Sequence, residues 1–154
     1  MVSFTKVVEQ EWTFKVMDQK LQKQKQVLED NMTNPFRDQE KFMKACDQKV
    51  NAYSVSQYAM YLKLIDEEVG ELHQAVLADD VVEQLDALID ILVVTIGAIH
   101  SAGFDAEGAW KEVMRTNFAK IDKETGKVRK REDGKVLKPL GWEPPNLKPF
   151  IEKK

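Results

Sequence analysis

Two runs of carboxylates stand out in this sequence by type and spacing. Glu67, Glu68 and Glu71 form Glu-Glu-x-x-Glu, and Glu83, Asp86 and Asp90 follow at i, i+3 and i+7. At about 100° per residue, Glu68 falls at the edge of a helical apolar stripe and Glu71 lies further around. That stripe is Tyr58, Tyr61, Leu62, Ile65, Val69, Leu72 and Val76. The second set shares one face with Val82, Val93 and Gly97, and it holds the only formal charges between Glu83 and Ala102. Acids beside so apolar a surface are costly unless they are paired or neutralised. If the two helices pair antiparallel about a break at 77–79, Glu71 meets Glu83 and Glu68 meets Asp86. Like charges that close coexist only when some are protonated or cations lie between them. No Lys or Arg occurs between Lys63 and Lys111, so the stretch cannot neutralise itself. Oxygen donors without convincing His or Cys partners suit hard ions, Mg²⁺ or Mn²⁺.

Each acid also has a structural reading when taken alone. Glu83 can complete a capping box with Asp80, Asp90 can pair with Lys63, and Glu67 can belong to a solvated face. Such readings have to hold for all of them together, whereas one metal site accounts for the set. A di-iron bundle would need Glu-x-x-His pairs. Glycines, Gly70 and Gly97, stand three residues before His73 and His100, so both histidines read as helix-surface or helix-end residues. Carboxylate-bound Mg²⁺ keeps waters and takes phosphate oxygens, which points to a phosphate-bearing substrate. Arg115, Asn117 and Lys120, then Lys127, Arg129, Lys130 and Arg131, are the candidate groups to hold the rest of a polyphosphate, although the run 127–131 reads equally as a solvated basic turn. Trp12, Phe14 and Tyr61 are candidates to stack on a base, though an aromatic residue on a helical stripe more often belongs to the core.

The elements that must position these groups are helical. With 154 residues, 43% hydrophobic and 32% charged, the chain is sized for one domain. Its net charge of −3 conceals a split: residues 65–110 carry 11 acidic and no basic groups, while residues 111–154 carry 13 basic and 7 acidic ones. A helix is expected over Phe4–Glu29, Pro35 breaks the pattern, and a second helix follows over Asp38–Val50. Ser54 with Gln57 reads as a capping box before the stripe of Glu68, and Val81–Ser101 forms the next helix, closed by Gly103. Asp105 caps a further helix to about Ile121. Thr125-Gly126 and Asp133-Gly134 are turn signals, and Val128–Arg131 can pair with Lys135–Lys138 as a short hairpin. Pro139, Pro144, Pro145 and Pro149 extend the tail, to be held by Trp142 and Phe150.

The expected architecture is therefore all-α: four to five helices around a central antiparallel pair, with an extended C-terminal tail carrying the hairpin. It reads as one domain over 1–154, with a core at about 54–123 and a basic hairpin and tail at 124–154. The lone Cys46 excludes an internal disulfide framework and fits a reducing compartment. The apolar run Ile91–Ile99 is too short to span a bilayer. Glu9 and Glu11 interrupt any signal-peptide pattern, so a cytoplasmic protein without membrane association is expected.

The two acidic motifs on consecutive helices resemble the signature of the all-α nucleoside triphosphate pyrophosphohydrolases. That group includes MazG-type enzymes, dimeric dUTPases and phosphoribosyl-ATP pyrophosphohydrolases. The resemblance covers about residues 55–123. Met114–Lys120, Thr125-Gly126-Lys127 and Glu132-Asp133-Gly134-Lys135 are similar to small phage and bacterial members, MazZ-type enzymes among them. It implies cleavage between the α and β phosphates, giving a nucleoside monophosphate and pyrophosphate. It also implies that Glu68, Glu71, Glu83 and Asp86 bind Mg²⁺ or Mn²⁺, that Asp90 supports an additional ion, and that Glu67 orients or deprotonates water. Asn117 and Lys120 would contact sugar or phosphate. A homodimer or homotetramer is implied, as is a deoxynucleotide such as dGTP or dUTP. A role in histidine biosynthesis is less expected, because the partner domain of that pathway is missing from the sequence. The rival reading is a non-enzymatic helical interaction or regulatory protein with an acidic metal-binding hairpin, which would spread its acids over exposed positions. A stable nucleic-acid partner is not expected, given the net charge and the lack of a reading motif.

Overall fold

The structure is a computed structural model that describes residues 15–23 and 34–151. The chain divides into two compact units, Met1–Asn34 and Pro35–Lys154. In the first, residues 15–23 are helical, inside the helix expected over Phe4–Glu29. The rest of that helix, with Trp12 and Phe14, lies outside the described residues.

In the second unit Pro35 is the first residue of a helix. Helix α1, Pro35–Ala45, uses proline where a missing N–H is harmless and a preset φ is useful. It stops short of the expected Val50, because Cys46 and Gln48 donate back to the Met43 carbonyl and Asp47 turns left-handed at φ 57°. Helix α2, Val55–Leu77, starts where Ser54 was expected to cap it, but the Ser54 side chain makes no capping bond. Gln57 is engaged elsewhere: its Oε1 accepts the Lys49 N–H at 3.0 Å, and its Nε2 donates to the Lys49 carbonyl at 2.7 Å and to Ser101 Oγ at 2.8 Å. The side chain that would have completed the capping box ties the preceding loop to the end of the next helix.

Helix α3, Val81–Ser101, is capped by Asp80, whose carboxylate accepts the N–H groups of Val82 and Glu83. Helix α4, Ala106–Phe118, is capped by Asp105, which accepts the Gly108 N–H, and it ends before the expected Ile121. The expected closing residue Gly103 is left-handed, at φ 74°. A 3-10 turn at Lys148–Phe150 completes the fold, and no strands occur among the described residues. The expected hairpin is reduced to an antiparallel bridge between Lys130 and Val136, beside a second bridge between Ile121 and Val128.

Helices α2 and α3 pack as the central antiparallel pair. Tyr61 lies against Gly97 so closely that a Cβ there would overlap its ring. The core is built on this contact: Met43, Tyr61, Val94 and Ala98, with Val50, Tyr58, Leu64 and Ile65 packed against them. Tyr61 is 5% exposed and donates its hydroxyl to Gln48 Oε1 at 2.7 Å, so it is a core residue and not a platform for a base. His100 fastens α3 to α1: its Nε2 lies 3.0 Å from the Phe36 carbonyl and its Nδ1 2.9 Å from the Asn51 amide.

One face of α3 has no partner within the described residues. Val81, Leu85, Leu88 and Leu92 form an exposed stripe at helical spacing, flanked by exposed Val82 and Ile89. Among the described residues, no single helix is long and apolar enough to cross a membrane.

Candidate active site

The register of the central pair fixes which acids meet. Tyr61 sits on Gly97 and Gln57 bonds to Ser101, while Gln84 reaches the Ala75 carbonyl at the other end. Seven residues on from Tyr61 is Glu68, and seven back from Gly97 is Asp90. Glu68 therefore faces Asp90, one helical turn away from the expected partner Asp86. The difference arises at the connection. Helix α2 continues through Leu77, and Ala78–Asp80 turn the chain with Asp79 left-handed at φ 56°, so the pair is centred on residue 79.

Glu68 is half-buried, and its Oε2 is closed to solvent without a hydrogen-bond partner among the described residues. Burial first, and then the charges of Glu71, Asp90, Glu67 and Asp86 in that order, push its carboxyl above its ordinary value of 4.5. The structure thus gathers five of the six acids around one buried oxygen. The sixth, Glu83, is exposed in the first turn of α3 and is not among the charges acting on Glu68. None of the six forms an ion pair among the described residues.

No group of three His, Cys, Asp or Glu side chains stands in direct metal-ligating geometry among the described residues. The donor set still fits a cation. It is all oxygen, uniformly negative and locally without basic residues, and it includes an orphaned buried oxygen of the kind a cation or its water shell satisfies. A partly hydrated hard ion needs few direct protein ligands. His73 is exposed and His100 is occupied by its two partners, which leaves an oxygen site.

The candidate substrate groups fall into three sets. Asn117 and Lys120 share one turn at the end of α4, with Lys120 Nζ donating to Asn117 Oδ1 at 2.9 Å. Arg115 is held by Glu112 through two hydrogen bonds of 2.8 Å. With the Asn146 N–H also donating to it, the Glu112 carboxyl is held down at about 2. Lys127 and Arg129 are exposed on the basic turn, whereas Arg131 is paired with Asp133. No hydrogen bond or ion pair joins these groups to the acids among the described residues. Nothing in the spacing singles out Lys138 or links Trp142 to Lys120, yet the fold brings both lysines to the Trp142 ring.

A family model described as phosphoribosyl-ATP pyrophosphohydrolase matches residues 36–117, more than half of the chain. The chain belongs to this family. Membership places it within the MazG-like all-α nucleoside triphosphate pyrophosphohydrolase superfamily, and thus in an enzyme class that hydrolyses nucleotide pyrophosphate bonds. The match spans α1 through most of α4, including both acidic helices, and stops before Lys120 and the tail. No curated protein sequence matches the chain.

Proposed function

We propose that this phosphoribosyl-ATP pyrophosphohydrolase family member hydrolyses a nucleoside triphosphate between its α and β phosphates, giving the nucleoside monophosphate and pyrophosphate. The observation that carries this reading is the unpartnered buried oxygen of Glu68 amid four further carboxylates, inside the segment that matches the family. Glu68, Glu71, Glu83, Asp86 and Asp90 would hold Mg²⁺ or Mn²⁺, two or more ions per site. A bound ion of this kind makes water a better nucleophile and offsets charge growing on the phosphoryl oxygens. Glu67, exposed beside Glu68, orients the attacking water and accepts its proton. Water adds to phosphorus as the bridging P–O bond breaks, and the electron pair leaves with the departing phosphate group. Asn117 and Lys120 contact sugar or phosphate, with Lys127 and Arg129 as further anion contacts. Arg115 and Arg131 would join them only by leaving Glu112 and Asp133.

The substrate favoured by resemblance to the small phage and bacterial enzymes is a deoxynucleotide, dGTP or dUTP. Phosphoribosyl-ATP belongs in the same screen because it names the matched family. Homodimer or homotetramer formation is supported by the exposed stripe Val81, Leu85, Leu88 and Leu92, since a helix apolar on nearly every side is normally buried all round. A non-enzymatic acidic module would place its acids in water, and the buried Glu68 Oε2 opposes that reading. The test is turnover of each nucleoside and deoxynucleoside triphosphate, and of phosphoribosyl-ATP, with Mg²⁺ or Mn²⁺. At least one substrate is expected to be hydrolysed, with Glu68→Gln and Asp86→Asn each lowering kcat at least a hundredfold, about the size of a lost electrostatic contact in a transition state. No turnover of any substrate, or wild-type rates in both variants, overturns the proposal.

A further inference from the structure

The proline-rich tail runs antiparallel to α4 in a regular register. The Trp142 indole N–H donates to the Thr116 carbonyl at 2.8 Å, and the Asn146 N–H donates to Glu112 Oε1 at 2.9 Å. Phe150 lies against Gly108, where a Cβ would overlap its ring, and its carbonyl accepts the Asp105 N–H at 2.9 Å. Each four-residue step along the tail thus matches about one turn back along the helix. Pro144, Pro145 and Pro149 stiffen the strap between these anchors.

This strap fixes Trp142 at the C-terminal end of α4, and two ammonium groups gather on its ring. Lys120 Nζ is 5.3 Å from the ring centroid and Lys138 Nζ is 4.2 Å from it. Lys120 is further held by Asn117 Oδ1 at 2.9 Å. Neither lysine forms an ion pair among the described residues. An aromatic face attracts a cation through its quadrupole but carries no net charge. Two cations collected on one neutral ring therefore keep their full charge for a third group, and an anion bridging them relieves their mutual repulsion. Two such donors suit successive phosphoryl groups of a chain better than a single phosphate.

We propose that Lys120 and Lys138, collected on Trp142, form a binding site for the polyphosphate end of the substrate, with Trp142 as the positioning residue. The inference rests on the nucleoside triphosphate reading above and extends it to residues beyond the family match. Lys138 is then a substrate contact, and the strap that presents it is part of the site.

Calorimetric titration of the full-length protein in Mg²⁺ with inorganic tripolyphosphate tests this without requiring turnover. Lys138→Met is expected to weaken tripolyphosphate binding about tenfold, the scale of one lost charge-assisted hydrogen bond. Trp142→Leu is expected to do the same, and Trp142→Phe to restore part of the loss by returning a ring. Lys123→Met, an exposed charge change nearby, serves as the control and is expected to bind as wild type. For a hydrolysed nucleotide, Lys138→Met should raise KM by more than it lowers kcat. Wild-type tripolyphosphate affinity in Lys138→Met overturns the site, as does equal affinity of the wild type for orthophosphate and tripolyphosphate. If Trp142→Leu does not fold by circular dichroism, the exposed Lys138→Met variant decides. Lack of nucleotide turnover by the wild type would instead count against the proposed reaction, so the two failures are distinguishable.

Discussion

Replacing Glu68 by Gln should make the metal-free protein more stable while removing most of its response to metal. In the wild type, Glu68 Oε2 is buried without a partner and faces the charges of Glu71, Asp90, Glu67 and Asp86. Leaving one buried polar atom unsatisfied costs about 1–3 kcal/mol. The Gln amide has the same shape, carries no charge and can donate to the neighbouring carboxylates, so a net gain of about 1 kcal/mol is expected. For a chain of this length that corresponds to about 2–4 °C in Tm. Metal at one hundred times its Kd should add about 2.7 kcal/mol to the wild type. Glu68→Gln, lacking one charged ligand, should gain less than half of that. The assay is a pair of thermal melts, in EDTA and in Mg²⁺ or Mn²⁺. The pH dependence gives an independent sign. Glu68 has a native pKa above its ordinary 4.5, so its contribution is most favourable at and below pH 4.5 and is lost as pH rises through the native value. The advantage of Glu68→Gln in EDTA should therefore widen as pH rises above 4.5. A variant less stable than wild type in EDTA would show that Glu68 is not strained without metal, and one with an undiminished metal shift that it is not a metal ligand.

Gly97→Ala gains about 1 kcal/mol of helix propensity but drives a Cβ into the Tyr61 ring, and overpacking costs about 1–3 kcal/mol. A net loss in urea denaturation is expected, and a gain would show that the α2–α3 seam is looser than its register implies. Glu112 has a native carboxyl value of about 2, so its hold on Asn146 and Arg115 is complete above the ordinary 4.5 and is lost as pH falls from there towards 2. Measured against the intrinsic exchange rate at each pH, amide protection in residues 142–151 should fall over that interval in the wild type and stay nearly constant in Glu112→Gln; parallel protection profiles would contradict this. Leu85→Asp with Leu88→Asp should convert an oligomer to a monomer in light scattering, with helix content kept, and an unchanged mass would show that the exposed α3 stripe is not the interface.

Much of the fold was legible because its signals are local. The stripe from Tyr58 to Val76 and the carboxylate caps Asp80 and Asp105 place three of the four α-helices of the second unit with small end errors. The acids around Glu68 were likewise legible as a set, because they interrupt apolar surface and have no basic neighbours. Their pairing was not. Antiparallel register depends on the residue at which the first helix ends, and the helical run through Leu77 moves Glu68 from Asp86 to Asp90. The Ser54 capping box failed for a similar reason, since Gln57 finds partners in Lys49 and Ser101 that only the folded chain supplies. Trp142 and Phe150 were legible as the tail's anchors, but the gathering of Lys120 and Lys138 on the Trp142 ring was not. That cluster depends on a tail returning along α4, and no periodicity encodes such a contact.

The carboxylate seam between α2 and α3 is proposed to direct cleavage of a nucleoside triphosphate between its α and β phosphates. Phosphorus-31 NMR of the reaction in Mg²⁺, following the most rapidly consumed nucleotide, reads which bond is cleaved. Equal amounts of nucleoside monophosphate and pyrophosphate should appear together, and neither should form in EDTA. Release of orthophosphate with a nucleoside diphosphate, or undiminished cleavage in EDTA, would contradict it.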